Sequence, residues 1–492
     1  MEHKRGTLFI FAGLWLSLIG LVLGGSVMLP ATEKTANAQP ALLYKFAAND
    51  RVPTQPVPPE KGQIIIADLG LMRLSLYEDG ALIKSFPVLS RGKVGTPWET
   101  PTGKYRVKIK EKEHFSSIGG TWMPYSMQFY GNFFIHGWPT YSSGDPVPIG
   151  YSGGCIRLST PDSKELYELT SVGTEFIVIG VDANLAFATT SSYYLRGEKD
   201  PPEISAASFI VSDIDTGSVL WERSADTLRA PGGLIALPVA LTALETVNQY
   251  KMVRMSELLI DSPKLRKRAS GAKDEIPAGA LIYPLMYSTN DTAAKAFASD
   301  HGTASFVRSM NEKVAAIGVE HSAFSGVLSD ESGTTSARDL LEILTYTKNS
   351  KRFLIDVTMT NDHALTASGD GEKFTWENKV PWVVRGDGAF RGGVFSPNAS
   401  GGGNAMLLFD LPIAEFGSRT IAFVVMDSRD IEGDVERIRS FISGHFVYGI
   451  KENTEQFIRE TEEPTPSLLR RARDLMDLKR FLRESNDPAL AV

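Results

Sequence analysis

A single cysteine, Cys155, stands in a chain of 492 residues. With no second thiol there is no internal disulfide, and a zinc site built on several thiolates is excluded as well. The chain must therefore fold on burial and hydrogen bonding, and its cysteine is either an inert buried thiol or a nucleophile. The neighbours favour the nucleophile. Cys155 lies in Ser152-Gly153-Gly154-Cys155-Ile156-Arg157-Leu158, after two glycines with free backbone N–H groups and close to a cation. Such surroundings lower a thiol pKa and make the thiolate available, whereas an inert cysteine sits in an apolar strand or helix.

Hydrophobic residues at 42% and charged residues at 22% are ordinary globular proportions, and the length suits two or three domains. A formal net charge of −7 leaves no basic footprint, so nucleic-acid binding is not expected. Lys4 and Arg5 precede an apolar run from Leu8 to Leu29. About 20 such residues span a bilayer as a helix, and the leading positive charge holds that end in the cytoplasm. Residues 1–30 are read as a single-pass transmembrane anchor rather than a cleaved signal, although Ala36-Asn37-Ala38 looks like a cleavage site. The rest is expected outside the cytoplasm, held at the cell membrane by this segment. An oxidising compartment favours paired cysteines, which makes a solitary one more telling.

Residues 31–61 form a polar, proline-bearing linker ending in Val52-Pro53-Thr54-Gln55-Pro56-Val57-Pro58-Pro59, a semi-rigid spacer. Residues 62–181 read as a mostly-β domain. Strands are expected at Gln63 to Ala67 and Leu69 to Tyr77, with a turn at Glu78-Asp79-Gly80 and a return at Ala81 to Leu89. A further strand is expected at Lys104 to Lys110, a strand end at His136, a helix at Asp162 to Leu169 and a closing strand at Thr174 to Ile179. A linker at 182–204 leads to an α+β domain at 205–449. There, strands at both ends (Ala207 to Asp213, Ser218 to Glu222, Ala405 to Asp410, Arg419 to Met426) bracket helices at Leu234 to Tyr250, Ala278 to Phe297, Ser305 to Ile317 and Ser336 to Lys348. Residues 450–492 make a charged tail, helical over Pro464 to Ser485.

A cysteine acylating enzyme needs a base, an orienting group and donors for the oxyanion. His136, followed by Gly137, can hold the imidazolium that pairs with the thiolate if the loop between folds the two together. The N–H groups of Gly154 and Cys155 can form an oxyanion hole, and Arg157 offers a planar fork for a carboxylate. At these residues the chain resembles the L,D-transpeptidase family with its YkuD-type catalytic domain, whose pattern is His-Gly, a loop, then Ser-His-Gly-Cys, an apolar residue and Arg or Asn. The likeness runs from about Gln63 to Gly180 and includes Thr100-Pro101-Thr102-Gly103 and Met123-Pro124-Tyr125. One departure stands out: Gly153 replaces the family's second histidine, whose backbone, or sometimes ring, orients the site in relatives; the resemblance implies a catalytic role for Gly153 through its backbone, with no ring to share it.

From Ser205 to Met426 the chain resembles penicillin-binding serine D-Ala-D-Ala carboxypeptidases, with their serine β-lactamase-like α+β fold. Tyr287-Ser288-Thr289-Asn290 preserves the family's Ser-x-Asn motif at Ser288 and Asn290. The nucleophile motif Ser-x-x-Lys should fall at Gly233 and Ala236, where hydroxyl and amine are both gone. Arg391-Gly392-Gly393 stands weakly for Lys-Thr-Gly. Ser270 to Lys273 spells a rival Ser-x-x-Lys but lies too close to Ser288 for the family's spacing. The resemblance thus implies a degenerate second domain, kept as a binding module or scaffold.

For the first domain the resemblance implies a thioester on Cys155, formed at the bond between the third residue of a peptidoglycan stem peptide and D-alanine, with release of D-Ala. Resolution by a second stem's amine cross-links two third residues; water would give a carboxypeptidase, and a protein amine would give protein attachment. The whole chain as a non-catalytic cell-wall binding protein stays open beside these. Ser152, Gly137 and Tyr125 are candidate substrate contacts, and Trp122, Tyr125, Phe129 and Tyr130 form either a flap or plain core. No cofactor or metal is called for, and a carbapenem is expected to acylate Cys155 alone.

Overall fold

The computed structural model of the protein describes residues 56–180, 191–196, 200–254, 275–330, 332–369, 373–414 and 417–450. The expected anchor, the expected tail helix and Ser270 to Lys273 lie outside the described residues. Among the described residues, no helix is long and apolar enough to cross a membrane.

The isoleucine run opens the first domain as β1 (Gln63–Asp68), followed by the hairpin of β2 (Arg73–Glu78) and β3 (Ala81–Pro87). Asp79 and Gly80 take φ of +48° and +79°, the left-handed geometry that a tight two-residue hairpin turn requires. The single strand expected over 104–110 is in fact two, β4 (Gly103–Arg106) and β5 (Ile109–Ser116). Between them Val107 N–H bonds Thr174 O and Lys108 N–H bonds Gln128 O, so the chain crosses here from one sheet to another. β5 continues into β6 (Thr121–Tyr130), β7 (Phe133–His136), β8 (Thr140–Tyr141) and β9 (Ile156–Arg157). Helix α1 (Thr160–Leu169), capped by Ser159 Oγ on the Asp162 N–H, leads to β10 (Glu175–Ile179). The first sheet runs β3-β2-β1-β10-β4 and the second β5-β6-β7-β9, with β8 on β6. Ile65, Leu74, Leu76 and Phe86 from one sheet meet Met127, Phe129, Phe133 and Ile135 from the other in one core. Burying one side chain of this size contributes about 1.5–3 kcal/mol.

The second domain begins inside the expected 182–204 linker. Residues Ser191–Leu195 form β11, paired with β21 (Phe446–Ile450). The reason is tertiary: Tyr193 is buried in the domain core and its hydroxyl bonds Asp213. β12 (Ser208–Asp213) and β13 (Val219–Arg223) precede a 3-10 turn, Gly232–Ile235, and α2 (Ala236–Thr246). A short hairpin, β14 (Met252–Arg254) with β15 (Glu275–Pro277), follows. The single helix expected over 278–297 breaks into α3 (Ile282–Ser288) and α4 (Asp291–His301), because Thr289 turns left-handed (φ +48°) and Asn290 Oδ1 caps α4. Then come α5 (Thr303–Ala316), α6 (Ala337–Ser350), α7 (Arg352–Val357), the hairpin β16 (Asp362–Thr366) with β17 (Lys373–Glu377), and a turn of helix, α8 (Pro381–Val384). Strands β18 (Phe390–Pro397), β19 (Gly403–Leu411) and β20 (Arg419–Ser428) precede α9 (Ile431–His445). Their sheet runs β13-β12-β20-β19-β18, so N- and C-terminal strands do pair. Ala422, Val424 and Met426 face the helical core, while Ile421, Phe423 and Val425 face the opposite core under α9. A sheet covered on both faces explains why β19 and β20 read as unbroken apolar runs.

The two domains share a buried charged contact. Glu245 of α2, Lys313 of α5 and Lys351 after α6 have fully buried side chains, with Lys313 Nζ 3.0 Å and Lys351 Nζ 3.5 Å from Glu245 Oε1. Lys313 Nζ also donates to Tyr105 Oη at 3.0 Å and Tyr346 Oη at 2.7 Å, and Lys351 Nζ donates to Glu99 O. Tyr105 and Glu99 belong to the first domain. Desolvation pulls the Lys313 ammonium down to about 8 and lowers Lys351 as well, with the Glu245 carboxylate opposing both. Removing the one carboxylate would strand two buried cations, so Glu245→Ala is expected to lower unfolding free energy by about 3–5 kcal/mol. Urea titration followed by tryptophan fluorescence checks this, and a change near zero would mean that the lysines find other partners.

Candidate active site

Strand alternation decides which side chains share the site. Phe133, Ile135, Ile156 and Leu158 point into the sandwich core. Phe134, His136, Cys155 and Arg157 therefore fall on the other face. β7 and β9 run parallel, with His136 directly across from Arg157, so Cys155 lies one diagonal step from the imidazole.

His136 is only 1% exposed. Its Nδ1 lies 2.6 Å from Gly137 O. A carbonyl only accepts, so Nδ1 carries the proton and Nε2 is left as an acceptor. Gly137 in turn donates its N–H to Pro124 O at 2.8 Å. A Cβ there would stand 2.9 Å from Thr160 Cα, which is why a glycine follows the histidine. The Met123-Pro124-Tyr125 segment thus supports the histidine through its backbone.

Ser152 builds the cysteine turn. Its Oγ accepts the Gly154 N–H at 3.0 Å and donates to Cys155 O at 2.6 Å. The hydroxyl expected to meet substrate is engaged inside the turn, and so is the Gly154 N–H expected in an oxyanion hole. Gly154 has φ +106°, and a Cβ on it would lie 2.2 Å from Phe133 Cε1, so glycine is obligatory. At Gly153 a Cβ would meet nothing within 4 Å; the position of the family's second histidine is open space.

Cys155 is partly exposed as a residue, and its Sγ, 3.8 Å from Asn132 O, donates to that carbonyl. Burial pushes the thiol up to about 11, against smaller opposing effects of the Phe134 backbone and Arg157. Burial likewise pulls the His136 imidazole down to about 3, and Arg157 and His114 add to the shift. The free site therefore holds a neutral thiol and a neutral imidazole near pH 7, not the expected thiolate–imidazolium pair. Desolvating both groups outweighs what they gain by ionising together. The Arg157 guanidinium sits 5.6 Å from the Trp138 ring centroid, and its buried Nε has no hydrogen-bond partner among the described residues.

The aromatic candidates divide. Phe129 and Tyr130 are core residues, and Tyr130 Oη donates to Ser309 O of the second domain at 2.9 Å; they form no flap. Trp122 is 39% exposed and packs on Phe115 at 5.0 Å. Tyr125 takes φ +51° and leans edge-on against Tyr167 of α1, 5.8 Å away.

In the second domain, a Cβ on Gly233 would lie 2.1 Å from Ser396 Oγ and 2.8 Å from Thr289 Oγ1, so a side chain at that position would have to displace both hydroxyls. Ala236 starts α2 buried among apolar residues. Ser288 Oγ donates to Pro284 O at 3.1 Å, and Asn290 Oδ1 accepts the Ala293 N–H at 2.9 Å. Arg391 is paired with Asp410 of the neighbouring strand, Nε to Oδ2 2.6 Å. Ser396 and Thr289 adjoin Gly233, while Arg391 lies five residues before Ser396 on β18.

Comparison with known proteins agrees with both halves. Residues 62–179 match the family model of the L,D-transpeptidase catalytic domain, and residues 196–391 match that of D-alanyl-D-alanine carboxypeptidase. The chain joins an L,D-transpeptidase domain to a D-alanyl-D-alanine carboxypeptidase domain. Peptidoglycan modification is the enzyme class these matches support. A Bacillus subtilis (strain 168) protein named "Putative L,D-transpeptidase YkuD" is 28% identical over 152 residues, 30% of this chain and 86% of the relative. Among solved structures, the Streptomyces K15 DD-transpeptidase is 21% identical, covers 49% of this chain and 98% of its own, and has a TM-score of 0.40. A D-alanyl-D-alanine carboxypeptidase from Mycobacterium tuberculosis H37Rv is 19% identical over 50% of this chain and 93% of its own, at a TM-score of 0.41.

Asn132, which accepts the thiol proton in the L,D-transpeptidase domain, escaped the sequence reading. The contact is made by a main-chain carbonyl, which every residue carries, so no side-chain pattern announces it. The neutral thiol predicts the chemistry of the free protein. Iodoacetamide alkylation of Cys155 should climb about tenfold per pH unit from about pH 7 to 9 without levelling, because the thiolate fraction is still small throughout. A plateau below about pH 8 would mean a preformed ion pair.

Proposed function

We propose that this chain is a cysteine L,D-transpeptidase of the cell-wall side of the membrane, acting on peptidoglycan stem peptides, with a carboxypeptidase domain that no longer catalyses acyl transfer. The observation that carries the reading is the shared face of His136, Cys155 and Arg157, with the imidazole's Nδ1 proton committed to Gly137 O.

Starting from a neutral pair, His136 acts as a general base, with Nε2 taking the thiol proton as Sγ attacks the carbonyl carbon between the third stem residue and D-alanine. The N–H of Cys155 meets the developing oxyanion, joined by that of Gly154 if it lets go of Ser152. The C–N bond then breaks, and the imidazolium hands its proton to the departing amine of D-Ala. A thioester remains on Cys155. The amine of a second stem attacks it, loses a proton to His136 and leaves a new peptide bond, and the sulfur recovers its proton. Arg157, with an unsatisfied Nε, suits a stem carboxylate.

For the second domain, the missing hydroxyl at Gly233 and missing amine at Ala236 remove nucleophile and proton acceptor together. The crowding by Ser396 and Thr289 supports a closed rather than a merely mutated site. Anchoring by the apolar run at Leu8 to Leu29 fits a substrate outside the cytoplasm.

Incubation with tetrapeptide stems, followed by mass spectrometry, should yield free D-Ala and a dimer one D-Ala lighter than two stems. Cys155→Ala should abolish both, and His136→Ala should cut the rate at least about 100-fold. D-Ala without dimer would replace cross-linking by trimming, and neither product would remove the enzymatic reading. A carbapenem should add mass at Cys155 alone; a labelled serine in the second domain would overturn its proposed loss of chemistry.

A further inference from the structure

The end of α2 opposite its vacant nucleophile position reaches the L,D-transpeptidase domain. The last carbonyls of a helix have no partner within it. In α2 those of Glu245 and Thr246 are met by one residue of the other domain: the Asn132 backbone N–H donates to Glu245 O at 3.2 Å, and Asn132 Nδ2 donates to Thr246 O at 3.0 Å. The approach is close enough to require Gly131 beside it, with φ +45° and a would-be Cβ 2.4 Å from Glu245 O. Asn132 spends its carbonyl on the Cys155 thiol. Both donors of this residue are thus held by the carboxypeptidase domain, while its acceptor holds the thiol.

The opposite wall is tied down from the same side. Lys351 Nζ donates to Glu99 O, next to the Trp98 carbonyl that would lie 3.1 Å from a Cβ on Gly154. The same ammonium lies 5.4 Å from the centroid of Phe133, the ring packed on Gly154.

We infer that Asn132 is a positioning residue through which α2 of the carboxypeptidase domain sets the placement of the Cys155 thiol. The inference rests on the proposed role of Cys155 and deepens it: the domain that lost its own chemistry serves the other site as a rigid support. A thiol that donates to a carbonyl is held protonated and in one direction. Loosening the turn therefore has two opposite effects: the sulfur ionises more easily, yet it leaves the geometry that delivers it to the substrate.

The test uses the full chain with Asn132→Ala, Gly131→Ala and Ser350→Ala. The last removes a different interdomain contact, Thr102 Oγ1 to Ser350 Oγ at 3.0 Å, and serves as control. For the first two, kcat for D-Ala release should fall about tenfold or more with KM within about twofold, since small misplacements of reacting groups are costly. Iodoacetamide alkylation of Cys155 at fixed pH should meanwhile rise about threefold, and Ser350→Ala should match the unsubstituted chain in both. The inference is overturned if all three variants behave alike, or if activity falls only in proportion to folded protein measured by circular dichroism. If the unsubstituted chain releases no D-Ala at all, the activity reading fails, and the alkylation rates alone decide the positioning role.

Discussion

Two parallel rungs between β7 and β9, Ile135 on Ile156 and His136 on Arg157, carry the rest of the first domain's architecture. They bring together segments separated by a long loop, and they do so in a register where alternate residues divide cleanly between core and site. A slip of β9 by one residue would turn Ile156 out of the core and drive the Arg157 guanidinium into it. The apolar side chains thus enforce the alignment of the polar ones. The glycines around them serve close packing: Gly137 passes Thr160, and Gly154 passes Phe133.

Burial has a chemical consequence as well. It makes ionisation expensive for both Cys155 and His136, which leaves the free site neutral. The same low-polarity environment strengthens whatever hydrogen bonds form around a developing oxyanion. The second domain contributes to this enclosure: the fully buried side chains of its Glu245, Lys313 and Lys351 form a polar junction with the first domain, and the end of α2 meets the turn at Asn132.

Much of this was legible in the residues. The Asp79-Gly80 turn and the helix ending at Leu169 follow from local backbone preferences, and the structure has them where the patterns put them. The misreadings have tertiary causes. β5 carries four charges in a row, Lys110 to Glu113, and none of its residues is buried, so no alternation marked it. β11 looked like a linker because Tyr193 finds its core only through β21, far along the chain. Helix α9 has its apolar residues at helical spacing from Ile431 to Ile442, a pattern overlooked beside the stronger strands before it. Phe129 and Tyr130 read equally well as flap or core, because an aromatic ring has the same composition in either place.

The order of residues by itself determined the chemistry on offer: one thiol, a histidine-glycine pair nineteen places before it, an arginine two places after it, and a glycine and an alanine at 233 and 236. Those are local covalent facts, visible without coordinates. Only the tertiary structure decided the protonation of the thiol and imidazole, the engagement of Ser152 and the Gly154 amide, and the contact of Asn132 with α2. Each depends on how much water is excluded and which main-chain groups meet across strands and domains, and those quantities exist only once distant segments have packed.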